Sequence, residues 1–246
     1  MSAFVIAFLL AASATRAPRE PLRAKGIFAD PKGGREVYVF VDVHLCSAEP
    51  SLPAAQILAS LDEGKTWELT GPRLEGSEFQ LAQGSDEGVW VAGLHIAEGP
   101  GIDPFLLAPV VPTDLREPWL LHPITTGPSE LVKVEKAGPK NLRAWIRPVN
   151  HADAIRKGPP RAAVVFSSDD GGRSWSADRG AGSGAPGQFR KFAPITERSG
   201  AWRIVDRSDG GFDVQRREAT GTWQTVRKFP WSPCDEPAAA SFDQRR

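Results

Sequence analysis

The fold of this chain is decided by the stretch SDDGGRSW at residues 168–175, which recurs as SLDEGKTW at residues 60–67. Both octets read Ser-x-Asp-x-Gly-x-(Ser/Thr)-Trp, and each follows an apolar run that is typical of a strand. The Asp can accept hydrogen bonds from backbone N–H groups of its own turn, the Gly can adopt a positive φ, and the Trp can bury a large ring against a neighbouring sheet. The octets therefore predict two tight hairpins, each leading into a strand anchored by Trp.

The octets resemble the Asp-box of the sialidase-like (BNR repeat) β-propeller family. In that family the boxes are structural turns that lie away from the ligand site, so the resemblance implies a folding role for the motif residues. Turn chemistry already explains their Asp side chains, and no catalytic or metal-binding role is needed for them. The Asp-box residues are Ser60, Asp62, Gly64, Thr66, Trp67, Ser168, Asp170, Gly172, Ser174 and Trp175.

Two sets of aromatic residues recur with one period. One set lies 48–56 residues apart and comprises Trp67, Trp119, Trp175 and Trp223. The other set marks an apolar strand earlier in each repeat, at spacings of 52–57 residues, and comprises Tyr38, Trp90, Trp145 and Trp202. A period of about 50 residues with four short strands is typical of a propeller blade. The predicted fold class is therefore all-β, a β-propeller with about four four-stranded blades.

Four repeats can be arranged in more than one way. We expect the ring to close on itself; a half-ring that closes by dimerising and a twisted stack of sheets are the alternatives. In such a ring each repeat begins with its own first strand, and that of the fourth repeat is predicted at residues 189–193.

Composition and the chain ends narrow the class of function. Lys+Arg and Asp+Glu both number 30, so the formal net charge is zero and electrostatic binding to nucleic acid is not expected. Residues 1–17 contain an apolar run and an Ala-Ser-Ala site, which predict a signal peptide and a secreted or periplasmic protein; a mis-assigned start or a short buried segment is the alternative. We expect the propeller to span residues 18–236, a flexible tail to span residues 237–246, and the mature chain to lack a membrane span.

The chain has two cysteines, Cys46 and Cys234. Their predicted places lie at the same end of the propeller, and ring closure would bring the last repeat beside the first. An even number of cysteines in an exported chain favours a disulfide that joins these repeats. Two unpaired thiols are the alternative.

The predicted strand order sorts the connections onto two ends of the propeller. The octets fall at one end, and the loops after the second strand of each repeat fall at the opposite end, where propellers usually bind ligands. The candidate ligand-binding residues at that end are His44, His95, His151, Asp42, Asp153, Arg147 and Arg156. Solvated or turn-capping side chains are the alternative interpretation. No close-spaced His pair points to a metal, and we expect neither a metal nor a cofactor.

The resemblance suggests a sialidase-like glycoside hydrolase acting on exposed glycans as the enzymatic hypothesis. That family uses a Tyr nucleophile with a Glu partner and three Arg residues that clamp a carboxylate, but the only Tyr here, Tyr38, is predicted at the wrong end. We therefore favour an exported, non-catalytic binding or assembly module whose partner is a protein or a glycan. A hydrolase predicts opposed carboxylates within ~10 Å of each other at the ligand end. A binding module predicts an apolar or aromatic patch instead.

Overall fold

A computed structural model describes residues 22–30, 35–43, 54–85, 87–96, 102–110, 118–149, 161–178 and 189–230. These residues form eighteen β-strands and no helix. The strands make four antiparallel sheets of four or five strands, which we number in chain order. The expectation of an all-β, propeller-like fold with four sheets is confirmed.

The strands of each sheet follow one another in the chain, with two short exceptions. Sheet 1 contains β1 (Leu22–Ala29), β2 (Val37–Val43), β3 (Ala54–Ser60) and β4 (Glu68–Glu75). Sheet 2 contains β5 (Ser77–Ser85), β6 (Gly88–Ile96), β7 (Ile102–Pro109) and β8 (Trp119–Pro123). Sheet 3 contains β9 (Ser129–Ala137), β10 (Asn141–Pro148), β11 (Val164–Ser168) and β12 (Ser176–Ala177). The additional strands are β13 (Arg190–Lys191) on the edge of sheet 3 and β14 (Ala193–Pro194) on the edge of sheet 2, and sheet 4 contains β15 (Arg198–Ser199), β16 (Trp202–Asp206), β17 (Phe212–Arg217) and β18 (Trp223–Phe229).

Three hydrophobic clusters join the sheets face to face. The first joins sheet 4 to sheet 1 around Trp202 and Trp67. The second joins sheet 1 to sheet 2 around Tyr38 and Trp119, and the third joins sheet 2 to sheet 3 around Trp90. No cluster of the residues described above joins sheet 3 to sheet 4. The sheets are thus stacked in the order 4–1–2–3, and the expected packing of sheet 4 on sheet 3 is not seen.

The two aromatic sets explain this stacking. Successive side chains of a strand alternate between the two faces of its sheet, so one sheet can bury different aromatic residues on each side. In sheet 1, Tyr38 packs toward sheet 2 and Trp67 toward sheet 4. In sheet 2, Trp90 packs toward sheet 3 and Trp119 toward sheet 1. At each junction of the stack, the second-strand aromatic of one sheet therefore packs on the next sheet, and the later Trp of that next sheet packs back on the first.

Residues 190–199 run past all four sheets, along the edge that the first strand of each sheet forms. β13 pairs with β9 of sheet 3, β14 pairs with β5 of sheet 2, Thr196 bridges to Ile27 of sheet 1, and β15 enters sheet 4. The prediction of a first strand of sheet 4 at residues 189–193 is therefore wrong, because that segment pairs with sheets 3 and 2 instead. Sheet 4 begins at Arg198. We call residues 190–199 the strap.

Close packing holds the strap against the sheets. A Cβ atom added to Gly26 would lie 2.3 Å from Cγ2 of Ile195, so a side chain at Gly26 would exclude the strap from β1. The ring of Phe192 is fully buried between sheets 2 and 3. The Phe192 N–H also donates to the carbonyl of Val134 at 2.9 Å. These contacts compensate for the short length of β13 and β14.

The first octet is closed by its own side chains. The Gly64 N–H donates to the Ser60 hydroxyl at 2.8 Å, and that hydroxyl donates to Oδ1 of Asp62 at 2.9 Å. The backbone N–H and the hydroxyl of Thr66 donate to the same carboxylate at 2.8 and 2.7 Å. The Trp67 indole N–H donates to the Gly64 carbonyl at 2.8 Å. Partial burial acts to raise the pKa of Asp62, but these hydrogen bonds outweigh it and lower that pKa.

The second octet repeats the same bonds. The Gly172 N–H donates to the Ser168 hydroxyl at 2.8 Å, and the Ser174 N–H and hydroxyl donate to Asp170 at 3.0 and 2.6 Å. The Trp175 indole N–H donates to the Gly172 carbonyl at 2.9 Å. Although partial burial opposes the effect, the hydrogen bonds hold the pKa of Asp170 well below its usual range. Two turns with one bonding pattern therefore lead into Trp67 and Trp175.

Candidate functional site

The antiparallel sheets place their connections at two ends, and we call the end at which β2, β6, β10 and β16 finish the loop end. Asp42 and His95 lie at the loop ends of β2 and β6, and Arg147 lies at the loop end of β10. The remaining candidate ligand residues and both cysteines lie outside the described residues: His44, His151, Asp153, Arg156, Cys46 and Cys234.

His95 is held by a neighbouring hydroxyl. Its Nδ1 atom lies 2.8 Å from Oγ of Ser77, which is the residue opposite His95 in the β5–β6 pair. Ser77 is buried, whereas His95 is half-buried. This hydrogen bond fixes the imidazole at the loop end of sheet 2, so a ligand contact would use the other ring nitrogen.

Asp42 shares a cation with a carboxylate of the next sheet. The Nζ atom of Lys25 lies 3.6 Å from Oδ2 of Asp42 and 3.6 Å from Oε1 of Glu78. The two carboxylate oxygens are therefore no farther apart than twice 3.6 Å. The side chain of Asp42 is 10% exposed and that of Glu78 is 54% exposed. The ammonium group of Lys25 thus bridges the buried carboxylate of Asp42 in sheet 1 and the exposed carboxylate of Glu78 in sheet 2.

A β-bulge supplies this ammonium group. The register between β1 and β2 shifts between Ala24 and Gly26, which makes Lys25 the extra residue. Bulges re-aim side chains and are common beside functional sites. Lys25 therefore has no opposite residue in β2, and its side chain reaches Glu78 of sheet 2 as well as Asp42 of its own sheet.

Lys25 also lines an open cleft of about 460 Å³ between sheets 1 and 4. The strap contributes one wall, and β16 contributes another. We call this cleft the inner cleft, and its lining residues are Ala24, Lys25, Glu197, Arg198, Arg203, Ile204, Val205 and Asp206. Because basic and acidic side chains both line it, the inner cleft offers hydrogen-bond donors and acceptors to one ligand.

Two cations of the inner cleft rest on an aromatic ring. The guanidinium carbon of Arg203 lies 4.2 Å from the ring centroid of Trp223, and that of Arg198 lies 5.3 Å from it. The Nε–H of Arg203 also donates to Oε1 of Gln215 at 2.8 Å. Cation–π contacts and this hydrogen bond restrict the Arg203 side chain, and they hold its guanidinium on the face of sheet 4 opposite to Trp202 and sheet 1.

Arg147 makes its ion pair within its own sheet. Its Nη1 atom lies 2.7 Å from Oε2 of Glu130 on the adjacent strand β9. No described contact joins Arg147 to Asp42 or His95. A second cleft of about 540 Å³ lies on sheet 3, with Arg161 beside a largely apolar lining that includes Phe166. The candidate residues therefore fall into separate groups at the loop end.

Tyr38 cannot reach a substrate. The residue is fully buried, and its hydroxyl donates to Oε2 of Glu36 at 2.7 Å. Burial raises the pKa of Tyr38, and the carboxylates of Glu36 and Asp30 raise it further. A Tyr nucleophile needs access to the substrate and an activated hydroxyl. The Tyr38–Glu36 pair has neither, although it contains the two residue types that a sialidase uses.

Two negative findings apply to the described ranges. Within them, no group of three or more His, Cys, Asp or Glu side chains is placed to hold a metal ion. In the same ranges there is no helix of the length and hydrophobicity that crossing a membrane requires.

Sequence reasoning missed Lys25, Glu78 and the strap residues of the inner cleft. A signal for Lys25 was present, because Gly26 interrupts the strand that follows it, and such a Gly predicts a bulge or a close backbone approach. No comparable signal marked Glu197 and Arg198, since their place depends on a strap that pairs with strands far away in the chain.

Comparison with known proteins identifies no family. No family model and no curated protein matches the chain. Among solved structures, the chain is similar to an α-L-arabinanase from Penicillium chrysogenum in complex with arabinobiose, with a TM-score of 0.40 and 12% identity. The alignment covers 84% of this chain and 64% of that chain, so this chain spans less than two thirds of that structure's length. Similarity of this degree concerns the fold alone.

Proposed function

We propose that this protein is an exported, non-catalytic binding module of propeller-like fold, and that it binds a carbohydrate in the inner cleft. The observation that carries the proposal is the position of Lys25, which lines the cleft and pairs with both Asp42 and Glu78. One ammonium group already engages both carboxylates, an arrangement that suits the recognition of a polar ligand. We also propose that the two octets are Asp-boxes of the sialidase-like type, since they form identical hydrogen-bonded turns.

A saccharide suits the chemistry of the inner cleft. Each sugar hydroxyl both donates and accepts hydrogen bonds, and the cleft offers an ammonium donor from Lys25 and carboxylate acceptors from Glu197 and Asp206. The cleft volume of about 460 Å³ falls within the range of about 300–1,000 Å³ that is usual for small-ligand sites. A protein partner would need a broader surface, on the order of 800 Å² on each side. We therefore favour a short glycan over a protein as the occupant of this cleft.

A glycoside hydrolase with a carboxylate pair is the second candidate, and one observation favours it. The oxygens of Asp42 and Glu78 lie within twice 3.6 Å of each other. This separation fits the ~10 Å limit for the paired carboxylates of a glycosidase. A sialidase mechanism has no such support, because Tyr38 is buried.

Binding is tested by calorimetry of the full chain with neutral and acidic oligosaccharides. We expect Lys25→Met to weaken binding about tenfold or more, because it removes the ammonium group from the cleft. Lys65→Met is the matched control, since Lys65 is an exposed lysine on the first octet. Equal affinity in all three proteins would place the ligand elsewhere.

Hydrolysis is tested by the release of reducing ends during prolonged incubation with the saccharides that bind. A binding module releases none, and Glu78→Gln then changes affinity only. A hydrolase releases products, and Glu78→Gln abolishes release while the substrate still binds. If no saccharide is bound or cleaved, both candidate functions are wrong.

The export part of the proposal concerns residues 1–17. We expect the chain recovered from the periplasm or the culture medium to lack these residues. Intact-mass measurement of that chain, compared with a chain retained in the cytoplasm by deletion of residues 3–12, checks this expectation. Recovery of the full-length mass from the periplasm or the medium would contradict it.

A further inference from the structure

Sheets 3 and 4 stand at the two ends of the stack, and each has one face that packs on no other sheet among the described residues. Together these two faces carry the aromatic residues of one more junction of the kind seen within the stack. At the three formed junctions, a sheet presents its second-strand aromatic to the next sheet, which presents its later Trp in return. Sheet 3 is last in the stack 4–1–2–3, and its second-strand aromatic is Trp145. Sheet 4 is first in the stack, and its later Trp is Trp223. We call the faces that carry Trp145 and Trp223 the free faces.

Both tryptophans contact cations of their own sheets. The Nζ atom of Lys133 lies 3.6 Å from the ring centroid of Trp145, and it also lies 2.9 Å from Oε1 of Glu135. On sheet 4, Arg203 lies 4.2 Å from the centroid of Trp223. No described cluster buries either ring, although both residues stand where the other six aromatic markers pack at junctions.

One formed junction buries a cation beside its Trp and pairs it with a carboxylate. At the junction of sheets 2 and 3, Lys136 lies 3.4 Å from the ring centroid of Trp90 and 2.7 Å from Oε2 of Glu87, and its side chain is only 3% exposed. This buried Lys–Trp–Glu group has the same composition as the Lys133, Trp145 and Glu135 group on the free face of sheet 3. A cation and a carboxylate beside the Trp are therefore compatible with a buried junction in this protein.

We propose that the free face of sheet 3 binds the free face of sheet 4 in a second copy of this chain. A second copy is the occupant that these observations favour, because it presents the missing half of each junction. Two copies related by a two-fold axis would form both junctions at once and leave no free face. The resulting assembly is a closed ring of eight sheets, and its formation does not depend on the inner cleft binding a ligand.

The proposal is tested by analytical ultracentrifugation of the full chain. We expect twice the chain mass for the wild type at micromolar concentration. Trp145→Glu and Trp223→Glu should each weaken association at least about 30-fold, as expected when a central interface Trp is lost. Leu120→Glu, at an exposed Leu on β8, is the matched control and should not change the mass.

A mixing experiment separates this ring from other dimers. In a homodimer of either Trp variant, both junctions contain one substituted Trp. In the mixed dimer of Trp145→Glu with Trp223→Glu, one junction carries both substitutions and the other is intact. The mixture should therefore associate more tightly than either variant alone. A mixture that associates no better than its components would overturn the proposal.

Other outcomes also overturn it. A wild-type mass of one chain at all concentrations up to about 100 µM would show that a second copy does not cover the free faces. Masses above two chains would show an open head-to-tail array instead of a ring. If a Trp variant fails to fold by circular dichroism, Lys133→Glu replaces it, and it should weaken association while leaving the melting temperature within a few degrees.

Discussion

The indole N–H of Trp119 in sheet 2 donates a hydrogen bond of 3.1 Å to the hydroxyl of Thr70 in sheet 1, and both residues are buried. Trp67 and Trp175, which end the intact octets, donate instead to Gly64 and Gly172 of their own turns. Trp119 is not part of an octet, and its indole N–H is satisfied by the neighbouring sheet. This bond adds a directional polar contact to the apolar junction of sheets 1 and 2.

Trp119→Phe and Thr70→Val should each destabilise the protein by about 1–3 kcal/mol, because each removes one partner of a buried hydrogen bond. Urea unfolding at neutral pH measures the change in the free energy of unfolding. In a double-mutant cycle the second substitution should cost less than it does alone. Additive costs would show that the bond does not couple the two sheets.

The stability of the protein should fall at acid pH because of the octet carboxylates. The pKa of Asp170 is lowered in the folded state, where bonds from Ser174 and Ser168 outweigh the opposing effect of partial burial. Folding therefore favours the ionised form, and this contribution is present above the unfolded pKa of about 3.9 and is lost as the pH falls through the folded pKa. We expect the unfolding free energy to decrease less between pH 6 and pH 3 in Asp170→Asn than in the wild type.

Asp62→Asn should reduce the same pH dependence, because the pKa of Asp62 is also lowered. Asp169→Asn is the matched control, since Asp169 is an exposed carboxylate on the same turn as Asp170. Urea titrations at several pH values provide the measurement. A control variant that loses as much pH dependence as Asp170→Asn would contradict the assignment.

Gly172→Ala should be more destabilising than Gly138→Ala. Both glycines have positive φ, +91° and +76°, so both substitutions strain the backbone. A Cβ atom at Gly172 would also lie 2.2 Å from Cδ2 of Leu106 in sheet 2, whereas nothing lies within 4 Å of one at Gly138. The clash should add about 1–3 kcal/mol to the strain. Thermal unfolding of the two variants measures the difference, and equal losses would mean that Leu106 moves away at little cost.

Phe192→Ala tests whether the Phe192 ring anchors the strap to the sheets. The Phe192 ring is fully buried between sheets 2 and 3, so its removal should cost about 3–5 kcal/mol. Lys191→Ala, at the exposed neighbouring residue, should cost less than about 0.5 kcal/mol. Hydrogen exchange should show faster exchange at the Phe192 and Ile195 amides in Phe192→Ala, since both donate to inner strands. Unchanged protection there would mean that other contacts hold the strap.

Part of the candidate site could be predicted from the chain alone. Asp42 and His95 were expected at one end because alternate strands of an up-and-down sheet finish at the same end. The pairing of Asp42 with Lys25 and Glu78 could not be predicted, because it requires a bulge and the contact of sheet 1 with sheet 2. Arg147 shares the loop end but pairs with Glu130 of its own sheet, which strand order could not show.

The sequence by itself determined the features whose hydrogen bonds join residues only a few positions apart. Ser60 and Asp62 bond to partners no more than four positions away, so the octet turns are encoded locally. The apolar run Val37–Val43 likewise marks a strand whose sheet is packed on both faces, since every residue of it is buried. The tertiary structure alone decided the stacking order 4–1–2–3 and the path of the strap. Those features depend on contacts such as Ile27 with Thr196, which join distant parts of the chain and are selected by how whole sheets pack.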